Sequence, residues 1–443
     1  MSGERGDEDQ LTLSIDLMLQ NLLPRPENPS IHRVKDLLRS TNELAYDPRI
    51  VAIGPFHRDK EHLKHMELEK KLYLKLLLRS RSEPSVDRYV QKIKDLECRA
   101  RKCYAEPIAL ESDKFVEMLL LDGIFIIEFL RKYDKVNDDA IFKFSHVVRH
   151  VLHDLVLIEN QIPFFIIKEM LELTKAHDHE EIGKLIMPLV LPRAMPACAS
   201  MQNVSADHLL ALVHHVNCYS FHRIQSSRQR HNDRKMDNIH SAKELNETGI
   251  RFMKCEDENS SSWLDIEFKN KRIYVPVLEV SDVTESLFRN MIAYEYYLPR
   301  DDPKYVTDYI FLLHCLIHAP RDAQLLRQCG IINNWLGGDE MVYHLINQLG
   351  SNVLTSERFS YLDVFYDVNR HCERRWNRWI AILRRDYFDS PWKLISLVAG
   401  VVLLGVSIAQ LVYAILSYRK LITRLLHQAT IPTKAADFCI FPE

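Results

Sequence analysis

The sequence predicts a mostly α-helical protein: a large helical cytosolic domain with one small β-hairpin, plus one C-terminal transmembrane helix. Three observations predict this fold class. An uncharged apolar run lies close to the end of the chain, several earlier segments repeat apolar residues at helical spacing, and one stretch alternates apolar with polar residues. The 443 residues are 47% hydrophobic, which is ample for a packed core.

The first predicted element is a short helix within an N-terminal segment, residues 1–30. Apolar residues recur at helical spacing from Leu11 to Leu22, and the prolines that begin at Pro24 end the pattern. The first ten residues are acidic and polar, without the basic and apolar regions of a secretory signal peptide. We therefore expect the N-terminal side of the chain to stay in the cytosol.

A helical domain is predicted over residues 31–389. Helical spacing marks one amphipathic helix around residues 86–103. Residues 115–130 are apolar nearly all round yet too short for a second clean span, so we predict a helix buried in the domain centre. Residues 152–173 are predicted to be helical on both sides of Pro163, which breaks or kinks the run.

Two irregular features interrupt this helical pattern. Residues 223–238 are polar and basic and predict a mobile basic loop. Residues 263–278 alternate apolar and polar side chains around Asn270, which predicts a β-hairpin. Asp282, with Glu285 three residues later, is predicted to open the next helix as a capping box does.

The transmembrane helix is predicted over residues 390–418, followed by a short tail, residues 419–443. From Leu394 to Leu416 the chain carries no charge, and as a helix this run is about 34 Å long, enough to cross a hydrocarbon core of about 30 Å. Ser390 and Pro391 suit the start of a helix. A buried helix of a soluble protein is the alternative, and the length of the uncharged run argues against it.

Charge asymmetry predicts the orientation of this span. The twenty residues before it hold six Lys or Arg residues, and the twenty after Leu416 hold four. The more basic flank is expected on the cytosolic side, so we predict a single-pass membrane protein with a cytosolic N-terminal domain. Plasma membrane and endomembrane both stay open.

Within the span, Gly400, Ser407 and Gln410 fall on one helical stripe with Ala414, and Gly405 lies opposite. Small residues let two helices approach closely, and a glutamine can hydrogen-bond across the pair. This pattern supports a homo-oligomer formed through the transmembrane helix. Small residues are also common in any span, and the two interpretations stay equally open.

The segment before the span predicts an amphipathic helix. Trp376 and Trp379 lie on an apolar arc, and Arg374, Arg378 and Arg385 lie opposite. Such a helix can lie on anionic lipid, or its aromatic face can pack on the cytosolic domain. We favour packing slightly, and nucleic-acid binding ranks a distant third.

No catalytic motif is present, and the sequence predicts neither a cofactor nor a metal. His57, His62 and His65 come nearest to a metal cluster, but a solvated helix edge explains them better than zinc. Glu117 and Glu128 share one face of the predicted central helix and could do acid–base work, although pairing with basic neighbours is the favoured explanation. The net charge of −3 does not favour nucleic-acid binding, and nine irregularly spaced cysteines indicate a reducing compartment.

Ten stretches together resemble a plant family known as domain of unknown function 247. They occur in family order between residues 31 and 416. They are IHRV (31–34), AYDPRIVAIGPFH (45–57), MELEKKLYL (66–74), LECRARKCYAE (96–106), MLLLDGIFIIEFLRKY (118–133), DLVLIENQIPFFII (154–167), AKELNETGIRF (242–252), RNMIAYEYYLP (289–299), CGIINNWLGGDEMVYHLINQL (329–349) and SPWKLISLVAGVVLL (390–404). The sequence departs from the family pattern at Lys35, where a proline is common, and at Arg58, where a second histidine is common.

The resemblance implies a plant protein with a C-terminal membrane helix and no established activity. Some members are encoded at grass self-incompatibility loci, which implies a role in recognition or signalling. We therefore predict a membrane-anchored interaction or signalling protein whose partners are the lipid bilayer and an unidentified protein. The alternative is a membrane-bound enzyme of unrecognised mechanism that uses Glu117 and Glu128.

Overall fold

A helix that is apolar on nearly every side lies in the buried core of the domain, as the sequence predicts. The computed structural model describes residues 4–20, 28–133, 135, 139–175, 180–191, 194, 205–227, 238–255, 262–373 and 391–429. The central helix spans Ser112–Tyr133, and Phe125 and Ile126 within it are at most 1% exposed. Three neighbouring helices pack around it. The helix therefore has little surface facing solvent and can be apolar on nearly every side.

The N-terminal half of the domain is helical between short irregular connections. Its helices are α1 (Glu4–Gln20), α2 (Asp36–Arg39), α3 (Lys64–Ser80), α4 (Asp87–Arg101), α5 (Ser112–Tyr133), α6 (Ser145–Leu155), α7 (Phe164–Thr174) and α8 (Ile182–Leu185). Helices α3, α4 and α7 pack against α5. Pro163 directly precedes α7, so the helix predicted after this proline is present. The helix predicted to lead up to Pro163 is wrong in its extent, because α6 ends at Leu155 and residues 156–163 are not helical.

The C-terminal half of the domain adds a second group of helices. They are α9 (Leu209–Ser227), α10 (Ala242–Glu247), α11 (Asp282–Tyr296), α12 (Tyr305–Leu316), α13 (Pro320–Gln328), α14 (Asp339–Gly350) and α15 (Leu362–Cys372). Helix α11 contacts α9, α12 and α14, so it links the helices of this half.

Short 3₁₀ turns in the N-terminal half occupy Glu43–Tyr46, Glu61–Leu63 and Met187–Leu189.

The predicted hairpin is present but shorter than expected. Strands β2 (Glu267–Lys269) and β3 (Arg272–Val275) pair antiparallel across Asn270 and Lys271, whose φ values of 51° and 63° suit a two-residue turn. The stretch from Trp263 to Ile266 is buried without being a strand, so the predicted start at residue 263 is wrong.

Three further strands were missed by the sequence analysis. Strand β1 (Arg251–Lys254) pairs parallel with β3, and β4 (Leu278–Val280) pairs parallel with β5 (Ile332–Asn334) in a second, two-stranded sheet. Each has only three or four residues, which is too short for alternation to reveal it.

Two local predictions need correction. The basic loop was expected to begin at residue 223, but α9 continues through Ser227; residues 228–237 lie outside the described part of the chain. The helix α11 is capped one residue earlier than predicted. Ser281 is its N-cap residue, and its backbone N–H donates to the Thr284 hydroxyl at 3.1 Å, so Ser281 and Thr284 form the capping box instead of Asp282 and Glu285.

The chain divides into a compact unit that ends at Cys372 and a second unit that holds the C-terminal helix α16 (Pro391–Ala429). Pro391 is its first residue, as predicted. The helix does not end at residue 418 but continues into the predicted tail as far as Ala429.

Candidate functional site

The predicted membrane residues lie on α16. Leu394, Gly400, Ser407, Gln410 and Leu416 are all helical. The stretch Val398–Leu425 is long and apolar enough to cross a membrane, and its most apolar part is not buried. A buried core helix would have its apolar residues covered, so this exposure favours a span over the soluble alternative.

The stripe of small and polar residues proposed for helix pairing contains Gly400, Ser407 and Gln410 on α16. A side chain added at Gly400 would meet no atom within 4 Å, and the same holds at Gly405. The Ser407 hydroxyl donates to the Leu403 carbonyl oxygen at 2.9 Å, so its hydrogen bond is made within the helix. The predicted juxtamembrane residues Arg374, Trp376, Arg378, Trp379 and Arg385 lie outside the described residues.

The two carboxylates of the enzyme alternative lie on α5 but do not converge. Glu117 pairs with Lys114 at 2.9 Å and with Lys71 at 3.8 Å, and the hydrogen bond from Lys114 lowers its pKa. Glu128 pairs with Arg131 at 2.6 Å. Eleven residues separate the two glutamates by about 16 Å along a helix, too far to act on one bond.

The three histidines considered as metal ligands separate in the fold. His62 and His65 are exposed, as a solvated helix edge requires. His57 is only 3% exposed, so the solvated interpretation is wrong for this residue. Its Nε2 lies 3.3 Å from the Glu159 carboxylate, which also binds the Arg39 guanidinium at 2.6 Å.

A buried network of carboxylates and amides holds the irregular segment 49–54, and we call this network the segment clamp. The Asp154 carboxylate accepts hydrogen bonds from the backbone N–H groups of Arg49, Ile50 and Val51 at 2.8–2.9 Å. The Asn160 side-chain oxygen accepts from Ile53 at 2.7 Å. Buried backbone donors need such partners when no strand or helix supplies them.

Lys70 and Asp122 complete the segment clamp with a buried ion pair. The Lys70 ammonium lies 2.6 Å from Asp122 and 2.5 Å from the Ala52 carbonyl oxygen, and both charged residues are at most 1% exposed. Asp122 also accepts the backbone N–H of Gly54 at 2.8 Å. Burial raises the pKa of Asp122, although the ammonium of Lys70 opposes that shift.

Gly54 lets the clamped segment approach its neighbour. Its φ of +76° is a conformation that other residues rarely adopt, and an added Cβ would lie 2.3 Å from the Gln161 carbonyl oxygen. The segment can therefore turn here only with glycine.

His153 links the segment clamp to α11 in an arrangement that resembles a catalytic triad. Its Nδ1 lies 2.9 Å from Asp154, and its Nε2 lies 2.8 Å from the Ser286 hydroxyl. That hydroxyl also donates to the Ala45 carbonyl oxygen at 2.9 Å, and Ser286 is only 4% exposed. A catalytic nucleophile must be accessible to its substrate, and Ser286 is buried. These contacts therefore indicate a structural role rather than hydrolysis.

A second buried cluster joins α9 to α11 and consists of His214, Cys218 and Glu295. The His214 Nε2 lies 2.7 Å from Glu295 Oε1 and 3.7 Å from Cys218 Sγ. These residues are at most 7% exposed, and all three could hold a metal ion. Burial favours a lower pKa for His214, but the Cys218 sulfur and the Glu295 carboxylate overcome it and raise that pKa to about 10.

Glu295 also organises the start of α12. Its carboxylate accepts the backbone N–H groups of Val306 and Thr307 at 2.9 Å and 2.7 Å, and the Thr307 hydroxyl at 2.6 Å. These are the first turn of α12, where N–H groups lack partners within the helix. One carboxylate therefore fixes the relation of α9, α11 and α12.

Sequence reasoning missed this cluster. The available signal was the spacing of His214 and Cys218, four residues apart and therefore on one face of a helix. Their partner Glu295 follows 77 residues after Cys218, and nothing in the spacing connects them.

Comparison with known proteins establishes the family. A family model for plant proteins of unknown function, domain of unknown function 247, matches residues 31–406. The chain belongs to this plant family. The segment clamp joins four of the stretches that carry the resemblance to the family, 45–57, 66–74, 118–133 and 154–167.

Two proteins of Arabidopsis thaliana are similar to this member of the family. UPF0481 protein At3g47200 is 27% identical over 425 residues, covering 88% of this chain and 87% of that protein. Putative UPF0481 protein At3g02645 is 22% identical over 470 residues, covering 85% of this chain and 88% of that protein. No solved structure matches the chain.

Proposed function

We propose that the protein is a membrane-anchored binding protein whose cytosolic helical domain engages an acidic amphipathic helix of a partner protein. The C-terminal helix supports the anchor, because it is apolar, long enough to cross a bilayer and uncovered. The outward face of α3 supports the binding role, and this face is the observation on which the proposal depends.

Helix α3 is apolar on its buried face and also on part of its exposed surface. Its inner face buries Tyr73 and Leu77 against the core. On the outer face three leucines recur every four residues, and their exposed fractions are 68% for Leu68, 43% for Leu72 and 42% for Leu76. A helix on a soluble surface ordinarily has polar residues there, so we call these residues the leucine face.

A basic edge runs beside the leucine face. Lys71, Lys75 and Arg79 are exposed and also recur every four residues, so they form a parallel row along the helix. An apolar row beside a basic row fits a partner helix with apolar residues beside acidic ones.

Proximity labelling of the full-length protein in its native membrane tests the proposal. Leu72→Glu places a charge in the middle of the leucine face, and Leu354→Glu is the matched control because Leu354 is 64% exposed outside it. We expect Leu72→Glu to remove specific labelled proteins that Leu354→Glu retains, at equal protein level. Identical labelled sets from the wild type and both variants would contradict the proposed face.

An apolar row beside a basic row also fits an anionic lipid surface. The experiment therefore measures the fraction of the protein that is membrane-bound as a second readout. Loss of membrane association in Leu72→Glu, without loss of any labelled protein, would assign the leucine face to lipid and refute a protein partner. The enzyme alternative gains no support, because Glu117 and Glu128 are held apart and each is paired with a basic side chain.

A further inference from the structure

The cluster that joins α9 to α11 presents the three kinds of donor atom that bind zinc in proteins. His214 supplies an imidazole nitrogen, Cys218 a sulfur and Glu295 a carboxylate oxygen, and these atoms lie within 4.8 Å of one another. Nitrogen, sulfur and oxygen ligands in this combination suit a borderline-soft divalent ion.

The distance between His214 Nε2 and Cys218 Sγ is close to the distance expected when both atoms bind the same metal ion. Zinc bonds of about 2.0 Å to nitrogen and about 2.3 Å to sulfur place tetrahedral ligands about 3.5 Å apart. The observed distance from His214 Nε2 to Cys218 Sγ is 3.7 Å. The shorter 2.7 Å separation from Nε2 to Glu295 Oε1 is that of a hydrogen bond, so the ion replaces the shared proton and the carboxylate withdraws slightly.

Charge balance permits this exchange in a buried position. A divalent ion would be held by a neutral imidazole, a thiolate and a carboxylate. The two negative ligands balance the two positive charges of the ion, so the loaded site carries no net charge in its buried position.

The surroundings hold the ligands in place. His214 and Cys218 lie one turn apart on α9, and a rigid helix positions them better than a loop does. The remaining acceptor positions of Glu295 are occupied by the first turn of α12, including the Thr307 hydroxyl at 2.6 Å. Such outer contacts orient a ligand and strengthen binding.

We propose that His214, Cys218 and Glu295 form a zinc site that ties α9 to α11 and α12, with water in the fourth position. The proposal is independent of membrane anchoring and of the leucine face.

Cobalt, which absorbs visible light and substitutes for zinc, tests the site directly. The full-length protein in detergent is freed of metal with a chelator and titrated with Co²⁺. We expect one equivalent to bind with a thiolate-to-cobalt charge-transfer band, and Zn²⁺ to displace it and remove the band. Thr307→Val, which removes only an outer hydrogen bond, should weaken binding by roughly 10-fold.

Cys218→Ser removes the sulfur ligand with little change in volume and should abolish the charge-transfer band. Circular dichroism shows whether this variant stays folded, so a lost band is not mistaken for a lost fold. Cys98→Ser is the matched control, because Cys98 is an exposed free cysteine outside the cluster. No bound cobalt in the wild type, or a band that survives in Cys218→Ser, would overturn the proposal and leave a hydrogen-bonded cluster only.

Discussion

Breaking the buried ion pair between Lys70 and Asp122 should destabilise the domain, and a second substitution should restore part of the loss. Lys70→Met replaces the ammonium with an apolar side chain of similar length. It leaves Asp122, which is fully buried, without its cation, and the Ala52 carbonyl oxygen without its donor. Removing one partner of a buried ion pair costs about 3–5 kcal/mol, and we expect a loss in this range.

Asp122→Asn alone should cost less, about 1–3 kcal/mol. The amide oxygen can still accept the Gly54 backbone N–H, and Lys70 keeps Glu67 at 2.5 Å as a second partner. The double variant, Lys70→Met with Asp122→Asn, lacks both charges, so neither is left buried without its partner. We therefore expect the double variant to be more stable than Lys70→Met by at least about 1 kcal/mol.

The free energy of unfolding is measured by urea denaturation of the full-length protein in detergent, followed by near-ultraviolet circular dichroism. Lys71→Met is the matched control, because the neighbouring Lys71 side chain is 57% exposed and pairs with Glu117 at 3.8 Å. It should change stability by no more than about 0.5 kcal/mol. If the losses from Lys70→Met and Asp122→Asn simply add in the double variant, the two residues are not coupled and the argument fails.

Three further predictions concern His214, the sequons and helix α16. The pKa of His214 is raised to about 10 in the fold, so its pairing stabilises the protein fully below its unfolded pKa of about 6.5 and is lost as the pH rises through about 10. In the presence of a chelator, His214→Gln should therefore flatten the decline in unfolding free energy over that window, and parallel wild-type and variant curves would contradict the assignment. The sequons at Asn203, Asn246 and Asn259 should stay unglycosylated, because the domain is predicted to be cytosolic, and a glycosidase-sensitive mass shift would reverse the orientation. In a membrane reporter assay, Gly400→Ile with Gln410→Leu should abolish self-association of α16 while Gly405→Ile preserves it; equal signals from all variants would refute the stripe.

The elements found from the sequence are those whose evidence is local. Helix α5 has apolar residues on nearly every side, which already indicates burial without knowledge of its neighbours. Pro163 and Pro391 mark helix boundaries for steric reasons that operate within a few residues. Likewise, the hairpin between β2 and β3 needs only two adjacent turn residues and short alternation.

The elements that were missed depend on partners distant along the chain. Strand β4 pairs with β5 more than fifty residues later, and neither strand is long enough to show a period of two. Similarly, the basic loop was placed too early because polar side chains at the exposed end of α9 have the same composition as a loop.

For the candidate sites, the sequence by itself determined which residues lie in an apolar span and which charged residues interrupt buried segments. Only the tertiary structure decided what those charged residues contact. Asp154 holds backbone N–H groups more than one hundred residues before it, and Glu295 meets His214 from another helix. A buried polar group needs a hydrogen-bonding partner. Which group becomes that partner depends on how the helices pack, and a local sequence pattern does not show this packing.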